Sequence, residues 1–105
     1  MRRLLSQGPG PAFDPQAPYR LHPQAELRNE EFGALAYHFG TRRLSFLKAP
    51  ALVDVVRALG DAESVEDAVR RCAVPEAQRP AILRALAGLA GTDMIQRRVS
   101  EESLP

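Results

Sequence analysis

The hydrophobic period of this 105-residue chain changes at Pro50, from 2 before it to 3.6 after it. A chain with that switch makes its strands first and its helices second, which points to an α+β domain rather than an alternating α/β one. Before the switch, residues 31–50 read EFGALAYHFGTRRLSFLKAP, the pattern of a β-hairpin. With Gly40-Thr41 at the centre of a type II′ turn, Phe39 faces Arg42, Tyr37 faces Leu44 and Leu35 faces Phe46. Alternation then sets Leu35, Tyr37, Leu44 and Phe46 on one face, read as the inner one, and leaves His38 solvated on the outer face. Tyr19 to Arg28 supplies the preceding strand, with Leu21, Ala25 and Leu27 for the core. Pro23 makes that strand short, split or an edge. Asn29-Glu30-Glu31 turns it into the hairpin, and the result is a three-stranded antiparallel meander.

Past Pro50, Leu52, Val55, Val56 and Leu59 form a helical stripe that Gly60 ends. Ser64-Val65-Glu66-Asp67 resembles a capping box with Asp in the fourth place, opening a helix that buries Val65, Ala68, Val69 and Cys72. A third helix starts near Pro75, or at Pro80, and runs to about Ala90 with Ile82, Leu83, Leu86 and Leu89 as its apolar arc. Gly91 stops it, and Met94 to Val99 forms a short wing strand. Three strands, three helices and a wing describe an α+β domain of winged helix-turn-helix type. Its expected limits are residues 19–99, after a Pro-rich, disordered tail (1–18) in which Arg2 to Leu5 could form a contact motif, and before a polar tail (100–105).

The balance of residues excludes several classes of function. A formal net charge of +1 is far from the basic excess of a general nucleic-acid binder. Cys72 is the only cysteine, so the chain makes no internal disulfide and cannot by itself hold a structural zinc or an iron–sulfur cluster. Together with the absence of an apolar run of membrane-spanning or signal-peptide length, this points to a cytoplasmic setting and no membrane contact. His22, His38 and Cys72 lack ligand-pair spacing, so no metal site is expected. The carboxylates cluster at turns and helix starts, where the helix dipole favours them without any chemistry. Neither a phosphate-binding glycine loop nor a serine with a base is present, and the chain reads as a non-enzyme without catalytic or cofactor-binding residues.

One feature does suggest a function. Arg43 to Leu47 is the last strand of the meander, so one row of its backbone groups is unpaired unless it is covered or used. An extended peptide added there would satisfy it, with Arg42 and Arg43 available to acidic side chains and the third helix walling a groove.

The stretch YRLHPQAELRNEEFGALAYHFGTRRLSFLKAPALVDVVRAL, and FGALAYHFGTRRLSFLKAP in particular, resembles the peptide chaperones of mycofactocin biosynthesis. They are a branch of the precursor-peptide recognition elements typified by the small chaperone of pyrroloquinoline quinone biosynthesis. The resemblance spans about Tyr19 to Val99. It implies a leader of a ribosomally synthesised precursor peptide bound as a fourth strand, on Arg42, Arg43, Leu44, Ser45, Phe46 and Leu47, with Arg79, Leu83, Leu86 and Ala87 from the third helix. It also implies a partner, a radical S-adenosylmethionine maturase that carries the iron–sulfur clusters and modifies the precursor's C-terminal tyrosine and valine. The long Pro-rich start is the least family-like segment. The competing class is a winged-helix DNA-binding regulator, which would need a basic recognition helix where this chain offers Arg79 and Arg84.

Overall fold

The computed structural model describes residues 13–98. Strands β1 (Tyr19–Leu21), β2 (Ala25–Glu30), β3 (Gly33–His38) and β4 (Arg43–Leu47) come first. Helices α1 (Pro50–Ala58), α2 (Val65–Arg71) and α3 (Arg79–Gly91) follow, and strand β5 (Ile95–Arg97) comes last. The architecture is α+β: an antiparallel sheet in the order β2-β3-β4, three helices, and a separate β1-β5 pair. The winged-helix description is compatible with this arrangement.

The strand containing Pro23 is split, and its halves serve different sheets. β1 lies opposite β5, with Tyr19 facing Arg97 and Leu21 facing Ile95, while β2 pairs along β3 from Ala25–His38 to Glu30–Gly33. The expected wing is therefore not a free arm, because it closes onto the start of the domain. Arg98 adds to that closure. Its guanidinium donates to the carbonyls of Gly60 (3.1 Å) and Ala62, and its backbone N–H donates to Pro18 (3.0 Å). Residues 13–18, which composition assigns to the tail, pack on the fold. Phe13 stacks obliquely on Tyr19 at 5.0 Å, and Ala17 is buried. The carbonyls of Ala17 and Pro15 accept from the N–H groups of Val65 (3.1 Å) and Glu66 (2.9 Å). Those donors open α2 and have no acceptor within the helix, so the segment meets a need of the backbone. The Arg2–Leu5 motif, Val99 and the polar tail lie outside the described residues.

Each helix follows from its own signals. Pro50 sits in the first turn of α1, which buries Leu52, Val53, Val55 and Val56, and Leu59 is buried in the 3₁₀ turn that follows. Ser64 caps α2 by accepting from the Asp67 N–H at 3.0 Å. Asp67 reaches back to the N–H of Glu63 at 3.1 Å, one residue before the cap, and also holds Arg70 (3.0 Å) and Arg71 (2.9 Å). Pro80 marks the true start of α3, since residues 76–78 form a 3₁₀ turn of their own. Ile82, Leu86 and Leu89 are buried along α3, and Leu83 is half-buried.

Gly91 is the last residue of α3, one past the expected Ala90, but it does not itself take the left-handed conformation. The chain turns away where Asp93 takes a left-handed φ of 64°, with Met94 N–H bonding to Leu89 (2.9 Å) and Asp93 N–H to Ala90 (3.2 Å). α2 stops the same way at Ala73, φ 55°, with Val74 N–H on Val69 (3.3 Å) and Ala73 N–H on Arg70 (3.0 Å). Alanine pays a steric penalty in that conformation that glycine avoids. Ala73→Gly is expected to stabilise the protein by about 0.5–1 kcal/mol, read as a higher urea midpoint with an unchanged slope.

The Asp67 carboxyl is held below its ordinary 3.8 chiefly by the Glu63 N–H; desolvation opposes this, and Arg71 and then Arg70 add smaller lowering contributions. A carboxylate lowered on folding stabilises above its unfolded value, and that contribution is lost as pH falls through the folded one. Asp67→Asn should therefore be less stable than the parent at neutral pH. The two proteins should converge in urea titrations run at successively lower pH, below 3.8.

Candidate peptide-binding site

β4 is an edge strand, paired with β3 on one side only. The register is the expected one, with Leu35 opposite Phe46 and Tyr37 opposite Leu44. The turn and the face differ from expectation. His38 and Arg43 form the last pair, so Phe39, Gly40, Thr41 and Arg42 make a four-residue loop and not a two-residue II′ turn. Gly40 does not take a positive φ; Arg42 does, at 63°, and its N–H donates to His38 O at 2.7 Å.

The reason lies in His38, which is 3% exposed where a solvated ring was expected. Its Nδ1 accepts from the N–H groups of both Gly40 (3.0 Å) and Thr41 (3.1 Å) and so gathers the loop from inside. With Nδ1 accepting, the neutral ring carries its proton on Nε2. His22 stacks on it at 4.3 Å and uses its own Nδ1 to accept from Gln24 N–H at 3.0 Å. The spacing of the two histidines gave no hint of this pairing. Among the described residues no group of three or more His, Cys, Asp or Glu comes together as a metal site.

Burying His38 also decides which face of the hairpin points inward. Ala34, Ala36 and His38 of β3, with Leu47 of β4, lie inside, where α1 packs on both strands. Leu35, Tyr37, Leu44 and Phe46 fall on the outer face, the reverse of the expectation. Leu44 is 55% exposed and Phe46 62%. The two largest apolar side chains of β4 are thus surface residues beside an open edge. Arg42 and Arg43 are exposed at its start, and neither forms an ion pair among the described residues.

The helix residues are less concentrated. Arg79 and Leu83 line a depression of about 200 Å³ with Glu66, Val69 and Arg70 of α2, and Arg79 Nε donates to Val74 O at 3.2 Å. Ala87 is half-buried. Leu86 is fully buried and belongs to the core, so it contacts no ligand in this conformation. α3 packs chiefly on α1 and β5. Cys72 is partly buried, and desolvation, with Asp54 nearby, pushes its thiol up. That keeps it protonated at neutral pH and unsuited to nucleophilic work.

The sequence pattern of the peptide chaperone MftB family matches residues 18–96, a span that takes in both sheets and all three helices. The chain belongs to that family. It is 49% identical over 84 residues to the peptide chaperone MftB of Mycobacterium ulcerans (strain Agy99), covering 80% of this chain and 77% of that one. It is 46% identical over 86 residues to the protein of the same name from Mycobacterium tuberculosis (strain ATCC 25618 / H37Rv), covering 82% and 79%. The relative from Mycolicibacterium smegmatis (strain ATCC 700084 / mc(2)155) is 45% identical over 83 residues, covering 79% and 81%. No solved structure matches the chain. Membership identifies a peptide chaperone, a non-catalytic role in mycofactocin biosynthesis.

His38, which organises the loop beside the candidate site, is the residue that sequence reasoning missed, because a histidine next to a turn looks solvated unless the loop amides it serves can be seen. His38→Leu should cost about 1–3 kcal/mol by leaving loop N–H groups without their acceptor. Faster amide exchange at Gly40 and Thr41 would locate the loss in the loop that starts β4.

Proposed function

We propose that this chaperone binds the leader of a ribosomally synthesised precursor peptide as a fourth strand on β4. It then presents the remainder to a radical S-adenosylmethionine maturase. The observation that carries the reading is the open edge of β4, flanked by exposed Leu44 and Phe46 and by Arg42 and Arg43. Unpaired backbone donors and acceptors on such an edge recognise extended chain, and alternate side chains supply selectivity. Arg42, Arg43, Leu44, Ser45, Phe46 and Leu47 form the strand side of the site. Arg79, Leu83 and Ala87 contribute from α3, and Leu86 supports them from beneath.

The magnitudes fit a carrier. Four or five added backbone hydrogen bonds contribute about 0.5–1.5 kcal/mol each. Two or three apolar anchors on Leu44 and Phe46 add roughly 1.5–3 kcal/mol each when fully covered. Ordering a flexible leader takes several kcal/mol back, which leaves about −8 kcal/mol, or micromolar binding. Cargo held at that strength can be released. The metal clusters and S-adenosylmethionine belong to the maturase in this scheme, and the chaperone works in the cytoplasm without a cofactor. No helix among the described residues is long and apolar enough to cross a membrane. The DNA-binding alternative has little to stand on: Arg79 spends its Nε on Val74 O, and the formal net charge is +1.

Titrating the isotopically labelled chaperone with a synthetic leader should move the backbone amides of residues 42–47 and of α3 in a saturable way. In Ser45→Pro or Phe46→Asp proteins that keep the parental circular dichroism, leader affinity should drop at least tenfold. Parental affinity in a folded Ser45→Pro protein would exclude strand addition.

A further inference from the structure

The outer face of the β2-β3-β4 sheet carries more exposed apolar surface than a fourth strand would cover. Phe32 (41% exposed) sits edge-on to Phe46 at 5.8 Å, and Phe39 (51% exposed) sits edge-on to Tyr37 at 5.0 Å. With Leu35 and Leu44 they make one continuous patch over β3, β4 and the turns at either end. The patch is lopsided. Across the sheet the outward rows read Glu26, Tyr37, Leu44 and Arg28, Leu35, Phe46, charged on β2 and apolar toward β4. The apolar side is therefore the side on which a peptide would be added. Any strand placed there would continue the patch with its own outward side chains.

We propose that this face is the docking surface for the enzyme that modifies the bound peptide, and that the enzyme reads chaperone and cargo together as one composite surface. The proposal rests on the strand-addition reading above for its composite character, though not for the location of the face. Area selects this occupant over a second copy of the chain. Given about 150–250 Å² per aromatic side chain, the exposed parts of Phe32, Phe39, Leu44 and Phe46 offer roughly 400 Å². That is the size of a functional patch on a monomer. It is about half of the roughly 800 Å² per partner that a stable interface uses. A self-paired face has nothing further to add, whereas an enzyme on the loaded chaperone meets Phe32 and Phe39 together with the cargo that covers Leu44 and Phe46, and gains the missing area from that cargo. Because coupling is reciprocal, the enzyme must then bind the loaded chaperone more tightly than the free one, and the cargo must bind more tightly when the enzyme is present.

The test uses full-length chaperone, the purified maturase, a synthetic leader, and the double variant Phe32→Ser/Phe39→Ser, whose positions lie outside the strand-addition site. Circular dichroism and thermal melting establish that the variant is folded. Its leader affinity should stay within about twofold of the parent, while its affinity for the maturase, measured by biolayer interferometry, should fall tenfold or more. Parental chaperone should bind the maturase more tightly with saturating leader than without. Unchanged maturase affinity in the folded double variant overturns the proposal. So does sedimentation showing a parental dimer that the double variant disperses, since the face would then be a self-interface. If the parent binds no leader, the strand-addition reading fails, and the location of the face is still decided by comparing parent and variant with the maturase alone.

Discussion

Ala34 and Ala36 lie fully buried beneath α1, on the inner face of a strand whose other face carries Leu35 and Tyr37. Small side chains there let the helix and the sheet approach closely. Because strand side chains alternate, the choice is made for the whole hairpin at once: with the alanines, His38 and Leu47 inside, the bulkier residues must face out. Gly33 permits the same closeness at the base of the hairpin. A β-carbon there would lie 2.0 Å from the Leu47 carbonyl oxygen, and the backbone has φ 145°, which side chains rarely allow. The exposed aromatic surface is thus a consequence of how the core closes, and it is tied to the fold as firmly as any buried contact.

The two edges of the sheet are managed differently. β2 presents exposed Glu26, Arg28 and Glu30, the kind of charged edge that discourages pairing with another chain. β4 presents Leu44 and Phe46 beside an unpaired backbone, with charge at its two ends, from Arg42 and Arg43 at the start and exposed Lys48 just past the finish. A protein with one protected edge and one inviting edge has a direction built into its sheet. The loop that begins the inviting edge is organised from below by His38, so the backbone that would receive a partner is held in place by a buried ring and not by the partner itself.

Much of this was legible in the sequence. The β3-β4 register followed from residue pairing about Gly40-Thr41, and it survived the error in turn type because the longer loop keeps the same centre. Helical stripes in α1, α2 and α3 were read from 3.6-residue spacing, and an interruption at Pro23, though not which of a short, split or edge strand it would make, from its missing N–H. What failed was the choice of face. Hydrophobicity favoured Leu35, Tyr37, Leu44 and Phe46 over a set that includes His38, Arg43 and Ser45, and so pointed to the wrong face. The deciding quantity was size, set by how near α1 comes, and that is a tertiary fact. Helix ends were legible to within a residue, at Arg71 and Gly91, but not the left-handed residues that follow them, Ala73 and Asp93, which are placed by where the chain must turn next. The helix side of the site was legible only as an apolar arc, which does not distinguish buried Leu86 from half-buried Leu83.

The pairing of β1 with β5 has a separate consequence for how such a domain can be joined to others. Tyr19 lies opposite Arg97, so the first and last strands of the fold run side by side. A domain whose chain enters and leaves at one place can be appended to a neighbour through either end and hang from it in much the same position. It can equally be inserted into a surface loop of a host without prying that loop apart. Genetic fusion of carrier and enzyme, in either order, is therefore open to this architecture at little structural cost.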